Sequence, residues 1–450
     1  MAGRRSHARS LSVWANGRRV ATWHLPARGA AELIYDDAWV RSDEARPLSL
    51  SLPIRLDGAP LRGDPVVNYF DNLLPDSEPI RRRIAQRFQT ESADAFDLLQ
   101  AIGRDCVGAV QLLAEDESPT HVETIEGTPL TDADIEGLLD QVAGGTPFGS
   151  DDHDDFRISL AGAQEKTALL RHDGRWLKPH GATPTTHILK LPIGLVGNRR
   201  ADLTTSVENE WLCMRLLQAF GVPVANVEIA RFGRRRVLAV ERFDRRLHPG
   251  GEWILRLPQE DFCQVSGLPP HKKYEQDGGP GVVALARVLQ QSIHARGDIE
   301  TLMTAQILFW LLAAPDGHAK NFSIHLLRGG QYRLTPLYDV MSIWPVEGDG
   351  ANQWSWYKAS LAMAIPGKSR HYGFRDVKRR HFNAMALKCG FGESAEPIIQ
   401  RIVERTPAVI DEVAAQLPED FPQRVAERIF AGMRKSLAAL EAMPATGMPV

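Results

Sequence analysis

The sequence predicts an α+β protein that is β-rich at its start, mixed α/β in its middle and helical towards its end. Three observations predict this. Short strand-like runs alternate with turn residues over 11–56, strand and helix patterns alternate from Phe156 onward, and the periodicity beyond residue 260 is mainly that of amphipathic helices. The corresponding units are 1–145, 146–255 and 256–450, since 450 residues exceed what one compact core usually holds.

In the first unit LSVWANGRRVATWHL carries an Asn16-Gly17 hairpin signal, so a small antiparallel sheet is expected. Helical spacing of apolar residues predicts helices over 70–88 and 93–102, with a strand returning over 106–113. Thr131 with Asp134 resembles a capping box for a helix to Val142, ended by Gly144-Gly145-Thr146-Pro147. The acidic stretch 149–155 reads as a linker.

In the second unit 157–160 and 167–171 are expected as strands around AGAQEK, and 187–191 as a third. A helix over 202–220 is stopped by Gly221 and Pro223. The runs 224–231 and 237–243 form a hairpin across Gly233 and Arg234 to Arg236. The third unit is expected to be helical over 282–294, 298–314 and in three patterns between 375 and 443, interrupted by one hairpin, 323–327 with 332–337.

Lys and Arg number 53 and Asp and Glu 56, a net charge of −3 that excludes a histone-like polycation and leaves room for a local basic patch. Hydrophobic residues at 43% and charged residues at 24% exclude a disordered chain. The longest apolar stretch, 305–315, is too short to cross a bilayer, and MAGRRSHARS has no apolar segment behind its arginines. A cytoplasmic protein with no membrane partner is expected. Cys106, Cys213, Cys263 and Cys389 stand far apart with no C-x-x-C, which fits reduced thiols and supports neither zinc nor a disulfide framework.

The most informative segment is PDGHAKNFSIHLLRGGQYRLTPLYDVMS, 315–342, which sets Asp316 five residues before Asn321, then a hairpin, then Asp339. Phosphoryl transfer from ATP needs one carboxylate to orient the attacking hydroxyl, and an Asn and a second Asp to hold the Mg2+ that bridges the phosphates. This pattern is the way a two-lobed kinase fold gathers those oxygens. Taken singly, Asp316-Gly317 is also an ordinary turn. The turn Ser159-Leu160-Ala161-Gly162-Ala163-Gln164-Glu165-Lys166 lets backbone amides approach phosphate oxygens, and it also suits a plain hairpin.

Lys190 inside the apolar strand HILKL needs a partner if it is buried. An ATP phosphate with Glu208 or Glu210 would supply one; an outward-facing Lys would need none. Val240 to Asp244 ends the hairpin where a kinase places its hinge. The segment 362–369 fits only a loosened Walker A pattern, and Pro366 removes an amide before Gly367, so it is rejected as a nucleotide site. The stretch 368–380 carries Lys368, Arg370, Arg375, Lys378, Arg379 and Arg380 against Asp376, which suits a phosphodiester backbone or a solvated helix face. His187, His318 and His325 lack metal-ligand spacing and read as local hydrogen-bonding residues.

Taken in order, RISLAGAQEKTALL, THILKLP, VENEWLCM, VERFDR, RLPQEDFCQ, DGHAKNFS and LTPLYDV, with FDNLLPDS and GRDCVGA before them, closely resemble the HipA family, the kinase toxins of bacterial toxin–antitoxin pairs. The resemblance covers almost the whole chain and is nearest to the proteobacterial type member. It implies a fold similar to phosphoinositide kinases: an α/β N-terminal lobe with an extra β-rich subdomain, and an all-helical C-terminal lobe, around ATP and magnesium. It implies Ser/Thr protein phosphorylation, with glutamyl-tRNA synthetase as substrate in the nearest relatives, leading to stalled translation, growth arrest and persistence.

By the same resemblance Asp316 is the base, Asn321 and Asp339 the metal ligands, and Lys190 the phosphate holder. Glu241, Arg242, Phe243 and Tyr338 border the nucleotide, the loop Ala161 to Lys166 covers the phosphates, and His318, Ala319, Lys320 and Asn321 flank them. Ser159 matches an autophosphorylated serine whose modification expels the phosphate loop. The implied partner is a HipB-like helix-turn-helix antitoxin dimer on operator DNA, with Lys378, Arg379 and Arg380 facing that DNA. Ala314-Pro315 depart from the family by replacing the polar residue that usually precedes the base. Two rival readings are a catalytically silent co-repressor and a small-molecule or lipid kinase of the same broad fold; no basic amphipathic membrane-seeking helix supports the lipid version.

Overall fold

The computed structural model describes residues 8–55, 57–144, 159–162, 164–197 and 200–445. The first unit is a five-stranded antiparallel sheet in the order Leu61–Arg62, Glu32–Tyr35, Arg18–Leu25, Arg9–Ala15, Val110–Ala114. Asn16 and Gly17 take φ of 48° and 77°, the double positive φ of a tight hairpin turn. One face packs on helices Asp64–Asp71 and Ala95–Ile102, with Trp23 stacked on Phe70 at 4.0 Å between ring centroids. The helix expected over 70–88 is two helices, Asp64–Asp71 and Glu78–Arg87. Pro75 interrupts the pattern between them, and Pro79 suits the first turn of the second. The non-helical stretch left between them, 72–77, reaches the functional site.

The second sheet has six strands in the order Val227–Phe232, Arg235–Glu241, His187–Lys190, Lys166–His172, Arg175–Pro179, Gly127–Pro129. Helix Asp132–Gly144 covers it through Ile135 and Leu139, which pack with Leu169, Leu189, Phe232 and Val237. This helix, expected in the first unit, therefore joins the second sheet, because its apolar face matches that sheet, and strand Gly127–Pro129 pairs antiparallel with Leu177, Lys178 and Pro179 at the sheet edge. Thr131 and Asp134 do exchange capping bonds, at 2.8 and 3.2 Å. The expected strand at 157–160 does not form at Ser159 and Leu160; residues 157 and 158, the 149–155 linker and Ala163 lie outside the described residues. Helix Ser206–Ala219 starts later than expected because Ala201–Leu203 pairs as a strand with Gly194–Val196.

The remainder is mainly helical: Val282–Leu289, Ala295–Leu312, Arg379–Lys388, Glu396–Ala414 and Gln423–Glu441. Helix Ala295–Leu312 is buried almost all round from Ile299 onward and forms the centre of the lobe. The expectation of helices with one hairpin is too simple. Gln259–Asp261 adds a third strand beside Ser323–Leu326 and Tyr332–Leu334, and Ser360–Pro366 pairs with Arg370–Gly373. The second pair is the Walker-like segment. It is strand, turn and strand, with no helix N-terminus after Ser369, so it has no phosphate cradle. Among the described residues no helix is long and apolar enough to cross a membrane, and the four cysteines are buried and unpaired.

Gly432 lets the last helix lie against the Trp344 ring, which is stacked on Trp356; a Cβ there would stand 2.2 Å from that ring. Gly432→Ala is expected to lose about 1–3 kcal/mol by overpacking, although alanine favours helix by about 1 kcal/mol. The urea midpoint of unfolding checks this.

Candidate active site

Helix Ala295–Leu312 ends with Ala313 at φ 50°, the left-handed cap, and Pro315 cannot continue the helix. The Ala314-Pro315 departure thus coincides with a sharp stop that throws Asp316 out of the helix. The loop closes on the Asp316 carbonyl, which accepts from Asn321 Nδ2 at 2.7 Å and from the His318 amide at 2.8 Å. Gly317 is needed here, since a Cβ would meet Phe309 at 2.5 Å. Because the Asn321 amide nitrogen is committed, its oxygen is the free end of that side chain.

The Asp316 carboxylate is 42% exposed, and its Oδ1 accepts from the Tyr274 hydroxyl at 2.5 Å. His318 Nε2 lies 3.8 Å from the same oxygen, and its Nδ1 is buried with no hydrogen-bond partner among the described residues. The expectation of a locally hydrogen-bonded His318 side chain is therefore corrected. Burial pushes this imidazole towards its neutral form.

Strand His187–Lys190 aims Lys190 inward, where its ammonium donates to Glu210 Oε1 at 2.7 Å and Asp339 Oδ1 at 2.9 Å. Glu208, the other candidate, pairs with Arg236 at 2.8 Å. Two residues along a helix are 200° apart, so only one of the two glutamates can face the strand's lysine. Burial alone would raise the Asp339 carboxyl, but Lys190 and Lys166 bring it down to about 2. Burial outweighs Lys190 at Glu210, whose carboxyl is pushed up to about 7. Asp339 is held at φ 61°, a left-handed conformation that is strained for aspartate.

Gly162 takes φ 107°, open to glycine almost alone, and its carbonyl accepts the Asp76 amide at 3.1 Å. The Lys166 ammonium lies 2.6 Å from where a Gly162 Cβ would stand; burial and Lys190 lower its pKa to about 8. Ala161 precedes this turn. Gln164 donates to the Leu191 carbonyl at 2.5 Å, and Glu165 pairs with Arg83 at 2.5 Å. Ser159 is fully buried and donates to the Leu73 carbonyl at 2.8 Å.

At the hinge, the Phe243 ring lies 5.6 Å from Tyr338 and 5.7 Å from His325, centroid to centroid. Glu241 is exposed and accepts from Asn226 at 2.8 Å. Arg242, expected beside the nucleotide, turns away: its guanidinium is buried against Asp244, Thr185 and the Cys106 carbonyl. Lys320 also points elsewhere, donating to Asn72 at 2.8 Å and Asp261 at 2.9 Å, while Ala319 continues the short turn to Asn321. Both side-chain placements have one cause, a buried cation taking the nearest carboxylate and carbonyl partners. In the basic stretch Lys378 and Arg380 are exposed, whereas Arg379 is fixed to Glu396 at 2.5 Å.

Reasoning from sequence missed Tyr274, Lys273, Asp76 and Asn72. The stretches FDNLLPDS and HKKYEQ hold them, but nothing in their spacing ties them to a loop more than forty residues away.

Asn321 and Asp339 offer hard oxygen donors, and Lys190 engages only one oxygen of Asp339. Among the described residues no group of three or more His, Cys, Asp or Glu could hold a metal. Two oxygens suit Mg2+, which typically takes one or two carboxylates beside phosphate and water ligands.

Residues 158–410 match the HipA-like C-terminal domain and residues 11–113 the HipA N-terminal domain. The chain is 36% identical over 338 residues to "Putative kinase Y4mE" of Sinorhizobium fredii, covering 74% of this chain and 77% of that one. It is 29% identical over 403 residues to the serine/threonine-protein kinase toxin HipA of Shewanella oneidensis, covering 85% and 84% respectively. The fold is similar to that of a chain in the solved complex of Shewanella oneidensis HipA, HipB and operator DNA, with TM-score 0.77, 24% identity, and coverage of 97% of this chain and 100% of that chain. The chain belongs to the HipA family.

Proposed function

We propose that this protein is an ATP- and Mg2+-dependent serine/threonine protein kinase, the toxin of a toxin–antitoxin pair. The observation that carries the reading is the buried Lys190, which joins Glu210 to Asp339 beside the closed Asp316–Asn321 loop. In this reading the exposed Asp316 carboxylate orients an acceptor hydroxyl and takes its proton. Lys190 and Lys166 hold phosphate oxygens, and Phe243 with Tyr338 covers the adenine. Asn321 and Asp339 would hold Mg2+, which supplies charge neutralisation at the transferring phosphoryl. Holding Asp316 on a separate hydrogen-bonded loop keeps the base exposed while Lys190 stays buried.

By resemblance the substrate is glutamyl-tRNA synthetase, and Ser159 is a self-phosphorylation site. Ser159 donates its hydrogen to a carbonyl. A phosphate there would face that carbonyl with acceptors only, so modification requires the 159–166 loop to leave its place, which switches the kinase off. The partner is a HipB-like antitoxin dimer, with operator DNA reached through Lys378 and Arg380. These cations sit at a helix N-terminus, against the helix dipole, an arrangement that serves an external anion better than the helix itself. The silent co-repressor reading leaves the burial of Lys190 between two carboxylates without purpose. Incubation with labelled ATP is expected to mark Ser159 and added glutamyl-tRNA synthetase, and Asp316→Asn to abolish both. Labelling that persists in that variant removes Asp316 from its role, and an unlabelled wild type removes the kinase reading.

A further inference from the structure

The first unit sends one short stretch, 72–76, to both loops of the candidate site. The Leu73 carbonyl accepts from Ser159 at 2.8 Å, and the Asp76 amide donates to the Gly162 carbonyl at 3.1 Å, which fixes the phosphate loop. On the other side Asn72 accepts from Lys320 through its carbonyl at 3.1 Å and its Oδ1 at 2.8 Å. The Asp76 carboxylate accepts from Lys273 at 2.8 Å. Lys273 then joins the base loop twice over: its carbonyl accepts the Ala319 amide at 3.1 Å, and its neighbour Tyr274 donates to Asp316 at 2.5 Å. The Tyr274 ring meets His318 edge-on at 5.0 Å.

We infer that Asp76 is a positioning residue for phosphoryl transfer, through which the first unit holds the Asp316 base in register with the phosphate loop. The inference rests on the kinase reading above and adds the part played by the first unit. Its backbone holds one loop and its side chain reaches the other through Lys273, so this one residue spans both, beside the separate contacts of Leu73 and Asn72. The Asp76 side chain is 12% exposed, and its Oδ1 is buried with no hydrogen-bond partner among the described residues, so it is a poor choice for a merely solvating surface group. Four cationic or ionisable groups converge on it: Lys320, Lys273, His318 and Lys166. Near-attack geometry is steep, and a misplacement of about 1 Å costs about a hundredfold in rate.

Asp76→Asn preserves shape and the bond from its amide to Gly162, weakens the hold on Lys273, and removes the charge that faces Lys320, His318 and Lys166. It is expected to lower kcat about tenfold or more while moving the KM for ATP less than about threefold. Asp76→Glu is expected to recover part of the loss. Combining Asp76→Asn with Lys273→Met is expected to cost no more than the worse single variant, because both break the same link. Amide hydrogen exchange provides an arm independent of activity: exchange at Ala319 is expected to quicken about tenfold in Asp76→Asn. Unchanged exchange at Ala319, or fully multiplicative kinetic losses in the double variant, overturns the inference. A wild-type protein that transfers no phosphate overturns the kinase reading instead, and the exchange arm still decides whether Asp76 joins the loops.

Discussion

Lys190→Met is expected to reduce phosphoryl transfer about a hundredfold or more, the usual consequence of removing one preorganised charge from a transferring group. The physical reason is local. Among the described residues Lys190 alone donates to Glu210 Oε1 and to Asp339 Oδ1, at 2.7 and 2.9 Å. Methionine fills the stem volume but leaves two carboxylates facing one another. Glu210 already sits at about 7, because burial outweighs the lysine beside it. Removing the lysine raises it further, and at neutral pH Glu210 takes up a proton. A carboxyl whose folded pKa lies above its unfolded value weakens the fold as pH rises from about 4.5 through that folded value. The stability deficit of Lys190→Met is therefore expected to be larger at pH 8 than at pH 5, measured by denaturant unfolding at both. Equal deficits would show that Glu210 does not respond to the lysine.

The same residue shows what was legible in the sequence. A lysine in the middle of HILKL demands a partner, and two glutamates stood two positions apart in the next helix. Only the rotation of helix Ser206–Ala219 chose Glu210, and helix phase is not written in the spacing alone. The Asp316, Asn321 and Asp339 set was legible because its members lie within one short segment. Asp76 and Tyr274 were not, since the partners of Asp76 come from other units, the partner of Tyr274 lies 42 residues further on, and their types, an Asp after Pro and a Tyr in a turn, are ordinary. The side-chain directions of Arg242 and Lys320 were not legible either, although their motifs were. Each side chain found buried anionic partners on the far side of its strand or loop. Patterning likewise located helix Asp132–Gly144 and its cap, while its allegiance was decided by Ile135 and Leu139 meeting the second sheet.

Asp105→Asn is expected to cost about 3–5 kcal/mol of stability, the range for breaking a buried ion pair on one side. Asp105 lies in GRDCVGA of the first unit and is buried against arginines of the second and third. Its carboxylate accepts from Arg256, from Arg245 at 2.9 Å and from Thr185 at 2.7 Å, with Arg242 at 3.4 Å. Among the described residues Asp244 is the only other carboxylate paired with these arginines, so three guanidiniums face two anions, and Arg245 Nε is buried with no hydrogen-bond partner among the described residues. Loss of one anion leaves the excess uncompensated. The amide of asparagine also turns a donor towards groups that only donate. Burial alone would raise the Asp105 carboxyl, but Arg256, Arg245 and Arg242 hold it well below the usual range; Asp244 is brought down to about 2. Carboxylates depressed in the fold stabilise it above their unfolded pKa of about 4, and that contribution fades as pH falls towards the folded values. The difference between wild type and Asp105→Asn is thus expected to be constant between about pH 5 and 7 and to shrink below about pH 4. The loss should also reach the nucleotide. The Asp105 carbonyl accepts the Ser159 amide at 3.0 Å, and Arg242 follows directly on Glu241, which in the proposed kinase reading lies beside the nucleotide. Calorimetric ATP affinity is accordingly expected to weaken in the same variant at a temperature where it remains folded. Unaltered affinity would confine the cluster to holding the units together.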